Sequence, residues 1–176
     1  MAGTLSVQKI QGLASSATPT TVEIATGHKL SGAASSIIAP GIVIQTVQFS
    51  SATYQATTST SFVNYSPTNA TITPSSTSSK ILVLSAHNTE VYQNNSQDAQ
   101  GRFVIYRDGS AITGENYIRH YDYGGSGHLG VTNTVINFLD SPSSTSSESY
   151  QLYMKKVSGD STAVLSGSIT LMEIAG

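Results

Sequence analysis

The six residues Pro-Ser-Ser-Thr-Ser-Ser occur twice in this chain, at Pro74–Ser79 and at Pro142–Ser147. An apolar-rich run follows each copy closely, Lys80-Ile-Leu-Val-Leu-Ser85 after the first and Tyr150-Gln-Leu-Tyr-Met154 after the second. Proline cannot donate a ladder hydrogen bond, and serine and threonine hydroxyls bond locally in turns. Each copy therefore reads as a crossover loop that feeds a strand. Two matching entries imply a sheet topology that uses the same edge crossing twice, as a β-sandwich or jelly roll does.

The rest of the chain supports an all-β reading. Gly41–Phe49 begins apolar on both faces and then alternates, and Lys80–Tyr92 sets Leu82, Leu84 and Ala86 against Ile81, Val83 and Ser85. Ser149–Val157 puts Tyr150, Leu152 and Met154 inward and Gln151, Tyr153 and Lys155 outward. Asp108-Gly109 is a two-residue hairpin signal, and Ser158-Gly159-Asp160 is a turn. Shorter runs at Thr60–Tyr65, Asn69–Thr73, Gly101–Arg107, Val131–Leu139 and Ser168–Ile174 bring the expectation to eight to ten short strands. No stretch shows a capped 3.6-residue period. The expected fold is an antiparallel β-sandwich (jelly roll) over residues 41–176. Residues 1–40, with isolated apolar pieces among Gly, Ser and Ala, read as an attachment or shaft segment.

Composition removes several function classes. Net charge is −2 with eight Lys plus Arg, so no basic patch for nucleic acid is expected. Charged residues are 10% of the chain, but hydrophobic residues reach 38% with nine Tyr, which argues for a folded domain over disorder. Cysteine is absent, so no disulfide framework exists. The first residues lack a basic start followed by an apolar core, and no run is long enough to span a bilayer. Synthesis in a cytoplasm without a signal peptide, and no membrane insertion, are the expectations.

The chemistry-bearing residues are few. Gly124-Gly-Ser-Gly-His-Leu-Gly130 lacks the lysine and the strand-to-helix setting of a phosphate loop and reads as a flexible loop tip. His120, Asp122 and His128 lie close in sequence, but no further metal ligand is identifiable. There is no nucleophile elbow, and the acidic residues fall mostly at turns. No catalytic, cofactor or metal residue is expected. Tyrosine with asparagine is the mixture that binding loops use, so Tyr92, Asn94, Asn95, Tyr117, His120, Tyr121, Tyr123 and His128 form the candidate receptor-binding set on loops.

Several strings carry a resemblance. Pro40-Gly-Ile-Val-Ile-Gln-Thr-Val-Gln48, Ala70–Val83, Phe103-Val-Ile-Tyr-Arg-Asp-Gly109 and Phe138-Leu-Asp-Ser-Pro142, with Ser6–Gly12 and Gly27–Leu30 before them, resemble virion structural proteins of marine tailed bacteriophages of the cyanophage type. The part closing on Ile169–Ile174 is similar to trimeric jelly-roll domains of the C1q/TNF type. The resemblance implies a non-enzymatic virion protein, a short tail-fibre or appendage subunit that contributes to host attachment. Its implied partners are two further copies in a homotrimer, other virion proteins through the N-terminal segment, and a host-surface glycan or protein. A capsid decoration (cement) or head-fibre protein is the alternative role. A glycan-cleaving appendage enzyme, from another class, requires a pair of acids flanking a sugar site.

Overall fold

The structure, a computed structural model, describes residues 26, 39–94, 98–121 and 127–176. The chain divides into two units, Met1–Ile37 and Ile38–Gly176. The expected attachment segment, residues 1–40, lies outside the described residues apart from Thr26, Ala39 and Pro40.

The described residues of the second unit form ten strands: β1 (Val43–Ser51), β2 (Gln55–Thr57), β3 (Val63–Ile72), β4 (Lys80–Gln93), β5 (Asp98–Arg107), β6 (Ser110–Ala111), β7 (Asn116–Tyr121), β8 (His128–Asp140), β9 (Glu148–Ser158) and β10 (Ser161–Ile174). They form two antiparallel sheets. The first has the order β1-β10-β4-β8, with β2 pairing the start of β10 beyond the end of β1. The second has the order β3-β9-β5, and β6 and β7 both pair with β5 at its outer edge. Successive long strands change sheet, from β3 to β4 to β5 and from β8 to β9 to β10. This is the two-layer jelly-roll arrangement expected from the sequence.

Both Pro-Ser-Ser-Thr-Ser-Ser copies are crossovers, from β3 to β4 and from β8 to β9. They lie at one end of the sandwich, where Ile81 pairs with Asp140 and Ile72 with Glu148. The chain also enters and leaves there, with Gly41 N donating to Ala175 O at 2.8 Å. The identical strings fold differently, since Ser143 takes a positive φ of 54° and its counterpart Ser75 does not. Each sits beside buried acids. Ser75 and Ser79 donate to Glu173 Oε1 at 2.6–2.7 Å and Gln45 donates to Oε2 at 2.6 Å. Burial raises the pKa of Glu173, but these donors outweigh it and hold the carboxyl below its ordinary value. Beside the second copy, Arg107 Nη1 reaches Asp140 at 2.5 Å and Arg107 Nε reaches Glu148 at 3.4 Å, while Tyr150 donates to Asp140 at 2.8 Å.

The core lies between the inward faces, with Tyr65, Ile81, Val83, Phe103, Ile105, Tyr150, Leu152, Met154, Ile169 and Leu171 fully buried. The inward assignment of Tyr150, Leu152 and Met154 is thus observed. The Asp108-Gly109 hairpin is also observed, with φ of 47° and 81°, the two positive values that a two-residue turn needs. Three expectations are corrected. The runs Thr60–Tyr65 and Asn69–Thr73 are one strand, β3, interrupted by a bulge between Asn64 and Asn69. Residues 161–167, rich in Ser and Gly, extend β10 because β4 pairs with them along its whole length. Residues 116–121, read as loop, form β7, since β5 is long enough to hold both a hairpin return and a second strand.

His87 is buried among these apolar groups at 1% exposure. Its Nε2 pairs with Thr68 Oγ1 at 3.1 Å and its Nδ1 with Ser85 Oγ at 3.0 Å, and Tyr65 meets the ring edge-on. Burial lowers its pKa from 6.5 to about 4. The unfolded chain therefore takes up a proton near pH 6.5 that the folded chain refuses until about pH 4. The stability this represents is complete above pH 6.5 and is lost as pH falls through that window, with a slope approaching 1.4 kcal/mol per pH unit, about one proton's worth. Urea denaturation across pH 4–7 should show this slope, and a His87→Gln variant, which keeps a hydrogen-bonding side chain but does not titrate, should lack it.

Candidate functional site

The end of the sandwich opposite the serine loops carries the connections β4–β5, β7–β8 and β9–β10. Hydrogen bonds tie them together. Asn94 N donates to Asp160 Oδ2 at 2.5 Å, Asp160 N to Tyr92 O at 2.8 Å, and Gly127 N to Asn94 O at 3.1 Å. Gly159 supplies the positive φ that the β9–β10 turn requires, and a side chain there would strike Tyr92 O and Ala99. The topology thus gathers Tyr92, Asn94 and His128 at one end, away from the chain entry at Gly41.

The set nevertheless divides among three surfaces. Tyr92 lies on the outward face of the first sheet, paired with Leu129. Tyr117 and Tyr121 stand on the outward face of the second sheet, 62% and 47% exposed, because β7 alternates. Arg119 shares that face; its guanidinium lies 5.7 Å from the Tyr121 ring centroid and its Nε donates to Asp98 at 2.6 Å. That hydrogen bond holds the Asp98 carboxyl below its ordinary pKa. His120 points the other way, into the seam between β7 and β8, with its ring centroid 6.1 Å from that of His128. Asn94 stands exposed at the tip. Asn95 and Tyr123 lie outside the described residues.

The seam is a shallow cleft of about 110 Å³ lined by Val91, Ile118, Arg119, His120, Gly130, Val131 and Thr132. His120 packs directly on Gly130, where a side chain would strike its Cβ. Among the described residues, no group of three or more His, Cys, Asp or Glu is placed to hold a metal ion. Asp140 and Glu148 are both salt-bridged to Arg107. They are 6% and 7% exposed, so they read as a latch under the β8–β9 loop. Among the described residues, no helix is long and apolar enough to cross a membrane.

One cluster escaped the sequence reading. On the outward face of the second sheet, Tyr106 of β5 and Tyr153 of β9 stack with centroids 3.8 Å apart and planes 18° apart. Phe62 stands 6.1 Å from Tyr106, and Lys155 Nζ sits 4.3 Å over the Phe62 ring. Tyr153 was legible as outward from its strand's alternation. Its partners were not, because they depend on the register of β5 and β3 against β9.

No family model and no curated protein matches the chain. Remote likenesses exist among solved structures. Dimeric latent PorU from Porphyromonas gingivalis is 7% identical at a TM-score of 0.42, covering 82% of this chain and 14% of that one. The Eiger TNF from S. frugiperda is 11% identical at a TM-score of 0.33, covering 78% and 94%. A chain of the T13 IBDV viral particle is 16% identical at a TM-score of 0.32, covering 84% and 36%. The chain therefore spans only a small part of the PorU chain and about a third of the viral one. Scores this low carry no role over to it.

The exposure of Tyr117 and Tyr121 sets an expectation. Neither ring is in the core, so Tyr117→Ala and Tyr121→Ala should each change unfolding free energy by no more than about 0.5 kcal/mol. Chemical denaturation measures this, and a much larger loss would place the rings in an interface.

Proposed function

We propose that this chain is a non-enzymatic structural protein of a virus particle, an appendage subunit of a tailed phage that assembles as a homotrimer and serves host attachment. One observation carries the assembly part. On the outward face of the first sheet, β4 and β8 carry aliphatic side chains among Asn88, Asn133 and Asn137, while β1 and β10 add Thr46, Gln48, Ser168 and Thr170. Leu129, Val131, Val135 and Leu139 of β8 are 46–55% exposed. Register sets Leu139 beside Leu82, Leu82 beside Met172, Val135 beside Ala86, and Leu129 beside Tyr92. The charged side chains along this face of β4, Lys80 and Glu90, stand toward its two ends.

An exposed aliphatic patch of this kind marks an interaction surface. The patch lies on the face of the sheet and not on the open edges of β1 and β8, so it calls for a partner that packs on side chains. A second and third copy of the chain meet that need, and closed symmetry stops the association at a finite size. The end loops of three copies would then stand together, opposite the end at which residues 1–40 join the domain. Weak contacts to a cell surface would act in concert there. The low charge, the absence of cysteine and the resemblance of the chain to phage virion proteins support the particle as its location.

Light scattering coupled to size exclusion tests the assembly. The expected mass is three times the 18.4 kDa of the chain. Leu139→Asp should shift the protein to monomer, because burying an unpaired carboxylate costs several kcal/mol, about enough to undo a moderate interface. A native monomer at high concentration would remove the trimer from the account. Gold-labelled antibody on intact particles tests the location: label at the tail supports the appendage role, and label over capsid faces supports decoration instead.

A further inference from the structure

The two outward faces of the sandwich differ in chemistry. The first sheet presents leucine and valine along β4 and β8 and polar side chains along β1 and most of β10. The second, along β3, β9 and β5, presents rings, carboxamides and charges. Val104, the aliphatic side chain on this face of β5, is covered to 1% exposure.

Tyr153 lies at the centre. One face of its ring stacks on Tyr106. Among the described residues no other ring covers its second face. Asn64 is its cross-strand neighbour on β3, and Gln151 and Lys155 flank it on β9. Arg102 lies opposite Lys155 on β5. Glu115 serves both cations, with Lys155 Nζ at 2.9 Å and Arg102 Nη1 at 3.8 Å. Two positive side chains share one carboxylate, so the cluster has an uncompensated positive charge. The Arg102 Nε finds no hydrogen-bond partner among the described residues, and the guanidinium leans on the Tyr117 ring at 4.9 Å.

We infer that this face, centred on Tyr153 with Lys155 and Arg102 beside it, binds an acidic saccharide. A pyranose ring presents C–H groups on one side, which pack on an aromatic face as other apolar surface does. Its hydroxyls radiate at the rim, where the carboxamides of Asn64 and Gln151 each offer a donor and an acceptor. The surplus positive charge selects a sugar that bears a carboxylate, to which the Arg102 guanidinium can donate paired hydrogen bonds. The inference rests on the attachment reading only for its use in the organism, since it places the cell-surface ligand on the side of the domain and not on the loop tips.

Titration of the isotope-labelled full chain with trigalacturonate, followed by amide NMR, tests it, with maltotriose as the neutral comparison. Saturable shifts should centre on Gln151, Tyr153 and Lys155, and maltotriose should bind about tenfold more weakly or worse. Tyr153→Ala should lower the affinity about tenfold. Because that change also breaks a ring stack, Lys155→Gln provides the second test. It leaves the rings in place and should weaken trigalacturonate while bringing its affinity close to that of maltotriose. Absence of saturable shifts, equal binding of the two sugars by the native chain, or unchanged binding by Lys155→Gln would each overturn the proposal. A trimer that binds no sugar overturns this inference alone, and a monomer that binds it overturns the assembly alone.

Discussion

A two-layer sandwich hides one face of each sheet and leaves the other to water, so each strand can bury only alternate side chains in the core. Strand β4 exceeds that allowance. Ile81, Val83, Ser85, His87, Thr89 and Val91 go inward, and nearly all of this side is fully buried. Leu82, Leu84, Ala86 and Tyr92 are left on the outer side, and β8 beside it adds four more exposed aliphatic side chains. The interior is complete without them. What remains is a second hydrophobic surface with no cover among the described residues, and the reading of this protein as an assembling subunit follows from that surplus.

The interior has its own cost, which is the placement of polar groups among apolar ones. His87 is neutral because burial disfavours its charge, and Thr68 and Ser85 occupy both ring nitrogens. Glu173 is ionised because four donors meet it. Three of those donors come from the first serine-rich loop, which gives that repeated string a physical role. Its short hydroxyl side chains reach an acid at the end of β10 and close the sandwich around it.

Periodicity made the strands legible wherever one face is apolar and the other polar, as in Ser149–Val157, where every inward residue was identifiable. It failed where composition hides the alternation. The first half of β10, with Ser166 and Gly167, carries little apolar signal and is ordered by pairing with β4. Strand β7 carries tyrosine and charge on its outward side and only Ile118 as an inward apolar group, so it resembles a loop in sequence. The candidate binding residues were found by type and not by side. The alternation of β7 and the register of β8 then decide that Tyr117 and Tyr121 face outward while His120 turns into the seam. The Tyr106–Tyr153 stack joins residues 47 positions apart in sequence, and only the β5–β9 register brings them together.

The two sheets therefore divide the work. On the proposed reading, the aliphatic strip of β4 and β8 meets copies of the same chain, and the aromatic and charged face of the other sheet stays open to solvent. The chain has no cysteine, so single thiols can report which face is covered. Val135→Cys on β8 and Gln151→Cys on β9 both lie outward, 135 at 55% exposure and 151 half-buried in the single chain. With a thiol reagent under native conditions, the account predicts slow labelling at position 135, fast labelling at 151, and equal rates once the protein is unfolded. Rapid native labelling at 135 at every protein concentration would contradict it.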